Sequence, residues 1–107
     1  MNTDFRIPGH QPTSIGEMLK EEFLEPLNIT QGQLAKAMGV GRKTVNELCG
    51  NKRGVTAETA FLLSKVLGTT PDFWINLQIS NDLWLTAHSE KFQKKIALAT
   101  PLVKEAA

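Results

Sequence analysis

The sequence predicts an all-α bundle of five or six helices. Three observations point there: apolar residues recur at helical spacing from Ser14 onward, most of these runs open on Ser or Thr and close at Gly or Pro, and no run alternates with the period of two that a strand requires. With 107 residues, 41% of them hydrophobic, the chain can fill one core and is too short for two domains of ordinary size. The expected organisation is a mobile arm over 1–13, a helical domain over 14–88 and a tail over 89–107 with helical texture.

The arm is broken by Pro8, Gly9 and Pro12 and holds few apolar anchors. Ser14 followed three residues later by Glu17 reads as a capping box, and Met18, Leu19, Phe23 and Leu24 continue helix one until Pro26 stops it. Thr30 and Gln33 repeat that spacing at the start of helix two, where Leu34, Ala35 and Met38 form an inner stripe ending at Gly39. Helix three runs from Arg42 to near Gly50 with Val45, Leu48 and Cys49 inward. Thr56 caps helix four, which carries Ala60, Leu63, Val66 and Leu67 and closes at Gly68. Thr70-Pro71 supplies the cap and first-turn proline of helix five. A weaker sixth helix is expected from about Ser89 to Ala99, with a frayed end.

The segment from Gln31 to Lys52 has the makings of a helix-turn-helix. Two helices crossing steeply through a short turn need a small side chain at the contact, a residue tolerant of positive φ in the turn, and apolar groups facing the core. Ala35, Gly39 and the pair Val45 and Leu48 supply them. An ordinary helical hairpin shares this packing but not the charges. Residues 31–55 hold Lys36, Arg42, Lys43, Lys52 and Arg53 against Glu47 alone, a net charge of +4, whereas residues 1–30 carry −3 from Arg6 and Lys20 against Asp4, Glu17, Glu21, Glu22 and Glu25. The overall +1 hides a local basic patch of the kind phosphate binding requires.

With Val45 taken as the core direction, Lys43, Asn46, Glu47 and Gly50 point outward, Thr44 lies to one side and Arg42 stands at the helix start. In a major groove Arg or Lys bonds guanine, Asn pairs with adenine, Glu accepts from cytosine N4, and a Thr methyl meets the thymine methyl. Arg42, Lys43, Thr44, Asn46 and Glu47 are therefore the expected base contacts. Gln31, Lys36, Asn51, Lys52 and Arg53 flank that face and are the expected phosphate contacts. For Glu47 a merely solvated charge is the competing reading.

These residues, with Ile-Gly-Glu-Met-Leu at 15–19, Glu-Glu-Phe-Leu at 21–24, Gly-Asn-Lys-Arg-Gly-Val-Thr at 50–56, Leu-Gly-Thr-Thr-Pro-Asp-Phe-Trp-Ile-Asn-Leu-Gln at 67–78 and Asn-Asp-Leu-Trp at 81–84, carry a resemblance. The chain resembles the Cro/repressor-like (XRE, or lambda-repressor-like) helix-turn-helix group and, within it, the HigA-type antitoxins of toxin-antitoxin pairs. The likeness covers about residues 14–88. Relatives often have His-Pro-Gly-Glu in place of Ser14-Ile15-Gly16-Glu17 and Ser in place of Gly41, which removes a side-chain cap from helix three. The resemblance implies a homodimer that represses its own operon on double-stranded operator DNA. It also implies a partner toxin of the HigB type (RelE-like), a small basic ribonuclease that cleaves messenger RNA on the ribosome.

Dimerisation has an independent argument, because a short helix reads few base pairs and two heads about 34 Å apart multiply specificity. Trp74 and Trp84 are the expected interface residues, Trp84 the better of the two, while Phe73 and Leu77 more simply close the core. The acidic set Glu17, Glu21, Glu22 and Glu25 offers a surface for a basic toxin. A solvated acidic face early in a helix equally suits the helix dipole. A stand-alone repressor of the same fold, without a toxin, is the alternative function.

An enzyme is not expected. His10 lies in the arm, His88 near the other end and Cys49 on an inner helix face, so neither a triad nor a metal cluster nor a phosphate loop can be assembled. No cofactor is expected. Cys49 reads as a small buried hydrophobe rather than a redox sensor, and one cysteine fits a reducing compartment. The longest apolar runs, Phe61-Leu62-Leu63 and Ile96 to Ala99, are far below the roughly 18 to 20 residues of a membrane span, and Met1 to Pro12 lacks a secretory signal. The expected location is the cytoplasm.

Overall fold

The computed structural model describes residues 7–103 and is all-helical among them. Helix α1 opens with one α-turn, Ile15–Glu17, and continues as Met18–Leu24 in π geometry. The others are α2 (Gln31–Met38), α3 (Arg42–Cys49), α4 (Ala57–Leu67), α5 (Pro71–Ala87) and α6 (Glu90–Ala97). The arm lies outside the described residues up to residue 6. Residues 7–13 are non-helical, and the Thr13 carbonyl accepts from Asn81 Nδ2 on α5 at 2.9 Å.

Local chemistry explains most boundaries. Thr30 Oγ1 accepts from the Gln33 amide and Gln33 Oε1 accepts from the Thr30 amide, a complete capping box. At Ser14 the box is incomplete: Oγ accepts from the Glu17 amide at 3.1 Å, but it donates to Glu17 Oε1 in place of the expected backbone bond. Gly39 and Gly68 take the left-handed conformation, φ +73° and +74°, and close α2 and α4. Thr56 and Ser89 cap α4 and α6, and Pro71 opens α5.

The π segment is a departure from the expected α-helix. The Glu25 amide bonds the Lys20 carbonyl at 2.9 Å, five residues back, just before Pro26. A proline ring collides with the carbonyl four residues earlier in an α register, and a widened turn relieves that collision. Beyond the helix Asn28 holds φ +55° and the Ile29 amide returns to the Leu24 carbonyl.

One core serves the bundle. Leu19 and Leu24 of α1, Leu34, Ala35 and Met38 of α2, Val45, Leu48 and Cys49 of α3, Ala60 and Leu63 of α4, and Trp74 of α5 are buried together. Helix α3 packs against both α1 and α2, so its inner face is fixed from two sides. Trp74 corrects an expectation. It is fully buried, with its ring edge-on to Phe73 at 4.9 Å and tilted against Phe23 at 5.5 Å, and its Nε1 donates to Thr69 Oγ1 at 2.7 Å. It is a core residue, unavailable to a partner, because α4 and α5 pack against each other and enclose the ring completely. Trp84 is half-buried and stacks on His88 at 3.8 Å. Helix α6 buries none of its residues, and the described part of the chain is elongated, 52 × 32 × 23 Å.

Candidate nucleic-acid interface

The turn between α2 and α3 is set by Gly39. Its left-handed backbone lets the Val40 amide reach back to the Ala35 carbonyl at 3.0 Å, and the chain then re-enters a helix at Arg42. Gly41 caps α3 without any side-chain bond, as its lack of a hydroxyl dictates. Val45, Leu48 and Cys49 anchor the inner face, and burial pushes the Cys49 thiol up against the opposing pull of Lys20. What remains is outward: Arg42, Lys43 and Asn46 are exposed, Thr44 and Glu47 partly so.

Arg42, Lys43, Asn46, Glu47, Gly50 and Lys52 line one open concavity of about 510 Å³. The structure thus brings together four of the five expected base contacts and one phosphate contact, with Thr44 at the side. Arg42 reaches back over the first turn of α2, where its guanidinium lies 2.6 Å from the place a Cβ on Gly32 would occupy. Glycine at 32 leaves room for that side chain. Lys36 is exposed on α2, while Gln31 lines a separate hollow with Lys20, Glu25 and Asn28.

Two expected phosphate contacts are engaged within the chain. Asn51 holds φ +57°, so the left-handed residue after α3 is Asn51 and not Gly50, and the Lys52 amide closes on the Glu47 carbonyl at 2.8 Å. Its Oδ1 accepts from the Gly16 amide at 2.8 Å and its Nδ2 donates to Ser14 Oγ at 3.1 Å. Asn51 therefore ties the end of α3 to the start of α1. Arg53 donates from Nε and Nη2 to Glu47 Oε1, at 3.0 and 2.8 Å. The Arg53 hydrogen bond, followed by the charges of Arg53, Lys43 and Lys52, outweighs desolvation and holds the Glu47 carboxyl below its ordinary value.

The residue pattern did not single out the groups that hold this face in place. Gly16 sits against the Cys49 carbonyl, and Gln78 of α5 accepts from the Val55 amide at 2.7 Å while donating to Asp82 at 2.9 Å. The signal that was available is the Gly50-Asn51 pair, since Asn is the residue after Gly that best tolerates a left-handed turn. The acidic residues Glu17, Glu21, Glu22 and Glu25 are all exposed on or just beyond α1.

The helix-turn-helix family pattern matches residues 20–74. Among relatives, Antitoxin HigA-1 of Vibrio cholerae is 48% identical over 92 residues, covering 86% of this chain and 85% of its own. A protein of Haemophilus influenzae known only as an HTH-type transcriptional regulator is 45% identical over 91 residues, 85% of each chain. Among solved structures, antitoxin GraA in complex with its operator superposes with a TM-score of 0.78 at 40% identity, over 90% of this chain and 96% of that one. A family pattern across more than half of the chain, together with identity of this order over nearly whole domains, shows that the chain belongs to the helix-turn-helix family, in its group of HigA-type antitoxins.

Proposed function

We propose that this protein is an antitoxin and autorepressor, acting in the cytoplasm as a homodimer that binds the operator of its own operon and neutralises a partner toxin that cleaves messenger RNA. The observation that carries the reading is the outer face of α3. Arg42, Lys43, Asn46 and Lys52 share one open concavity while the opposite face of the same helix is buried. Such a helix presents hydrogen-bonding and cationic groups to a major groove without disturbing the core that holds it. Arg42, Lys43, Thr44, Asn46 and Glu47 read bases, and Gln31, Lys36 and Lys52 meet phosphates. The operator bound by antitoxin GraA supports operator binding by this fold.

A second copy of the chain is the natural cover for the exposed apolar groups of α5, α6 and the segment that follows α6. Leu85, Ile96, Leu98, Leu102 and Val103 are exposed, and α6 buries nothing within its own chain. We place the pairing surface there and include Trp84, since two reading helices about one helical turn of DNA apart need a dimer. The exposed Glu17, Glu21, Glu22 and Glu25 form the surface proposed for a basic toxin of the HigB type. The Haemophilus relative, known only as a regulator, favours a second reading in which no toxin is involved.

One experiment addresses both. Binding to the DNA upstream of its own gene is measured between 50 and 200 mM salt, with and without the protein encoded beside it. A dimer neutralising about 6 to 10 phosphates loses about a thousandfold or more in affinity over that range. A flat salt response rejects DNA binding, and a neighbouring protein that forms no complex leaves the stand-alone repressor.

A further inference from the structure

Arg53 was placed with the phosphate contacts by its charge, yet both of its bonding nitrogens are turned onto one oxygen of Glu47. Oε1 takes both hydrogen bonds, and among the described residues Oε2 takes none. Glu47 lies on the concave outer face of α3 beside Arg42, Lys43, Asn46 and Lys52, and is the single acid among residues 31–55. A lone carboxylate brought between two phosphate backbones is repelled unless a cation accompanies it. A glutamate side chain also has several rotamers to lose on ordering, and a donor fork from a neighbouring loop removes that freedom beforehand.

We propose that Arg53 is a positioning residue and not a phosphate contact: its guanidinium pins the Glu47 carboxylate by Oε1 so that Oε2 faces the major groove as the acceptor for a cytosine amino group. This rests on the proposed reading of α3 as the helix that enters DNA. Glu47 and Arg53 then act as one unit, the acid reading the base and the arginine fixing it and cancelling its charge. Arg53 contributes to the choice of sequence, and Lys36 and Lys52 contribute to affinity for any sequence.

The test uses the full chain and duplexes of about 30 base pairs from upstream of its own gene, long enough for two half-sites a helical turn apart. Every base pair of one half-site is substituted in turn. Glu47→Ala and Arg53→Ala are each expected to lose about 10- to 100-fold of preference for cytosine at the same position, as removal of one good base contact does. The double variant is expected to lose no more than Glu47→Ala alone, because one interaction is being removed twice. The dependence of log affinity on log salt is expected to keep its wild-type slope in Arg53→Ala, whereas a phosphate contact would reduce the slope by about 0.9 per subunit. An Arg53→Ala protein that binds every duplex more weakly by one factor, with a shallower slope, overturns the inference and leaves the proposed function standing. Wild-type protein that ignores all the duplexes overturns both.

Discussion

Glycine at 16 is the position where helix α1 touches the end of the reading helix, and replacing it with alanine tests that contact directly. A Cβ at residue 16 would overlap the carbonyl oxygen of Cys49 and stand 3.0 Å from Asn51 Oδ1. Both are poor at yielding: the first is backbone at the end of α3, and the second is held by the Gly16 amide while Nδ2 of the same side chain donates to Ser14 Oγ. Overpacking of this kind costs about 1–3 kcal/mol. Stretching the 2.8 Å bond from the Gly16 amide removes a further contribution of about 1 kcal/mol. Alanine's better helix propensity returns at most about 1 kcal/mol. Gly16→Ala is therefore expected to destabilise the fold by about 2 kcal/mol, with a melting point lower by about 4 to 8 °C for each kcal/mol. Urea unfolding followed by tryptophan fluorescence measures this, with Gly9→Ala as the control because nothing lies within 4 Å of a Cβ there. A Gly16→Ala protein with a midpoint at or above that of the parent refutes the close-approach argument.

Two further outcomes follow from the core and from the reading face. Trp74→Ala removes a fully buried ring and is expected to cost about 3–5 kcal/mol, whereas Thr69→Val, which orphans the indole N–H, costs about 1–3 kcal/mol; a loss below about 1 kcal/mol in the alanine variant would remove Trp74 from the core. The Glu47 carboxyl is held low by Arg53, so its ion pair is fully formed above the unfolded carboxylate value of about 4.3 and is lost as pH falls through the lower folded value. Carbon-detected NMR titration is expected to show Glu47 titrating below about 4.3 and to show Arg53→Ala returning it there; a titration unmoved by that substitution would break the pair.

Much of this architecture was legible because helices are punctuated by short-range chemistry. Thr30 with Gln33, Thr56, Pro71 and Gly39 each act within one turn of themselves, so their consequences are visible in the order of residues, whereas the Thr70 side chain expected to cap α5 makes no cap bond. The inner faces of α2 and α3 were legible for the same reason, since Leu34, Ala35, Met38, Val45, Leu48 and Cys49 follow one period. What escaped depends on neighbours distant in sequence. A buried tryptophan and an interface tryptophan have the same composition, and only the convergence of α4 and α5 separates Trp74 from Trp84. The π segment of α1 leaves only a faint trace, the five-residue spacing of Met18 to Phe23 and of Leu19 to Leu24, which four apolar residues share with an ordinary helical stripe. On the reading face, charge identified Arg53 and polarity identified Asn51, but their partners Glu47, Ser14 and Gly16 are contacts that no local pattern specifies.

The conformation of Asn51 constrains which residues that site will accept. Glycine would keep the left-handed backbone and forfeit both side-chain bonds, aspartate would keep an acceptor for Gly16 and lose the donor to Ser14, and larger residues would be strained by the positive φ. A single amide side chain meets all the demands at once. One to two turns earlier, Lys43 and Asn46 face open space and answer to no such demand. On the proposed reading of α3, a selection for altered operators can therefore rewrite its exposed letters freely while its anchor stays invariant, so that specificity and foldability vary on separate residues of one short segment.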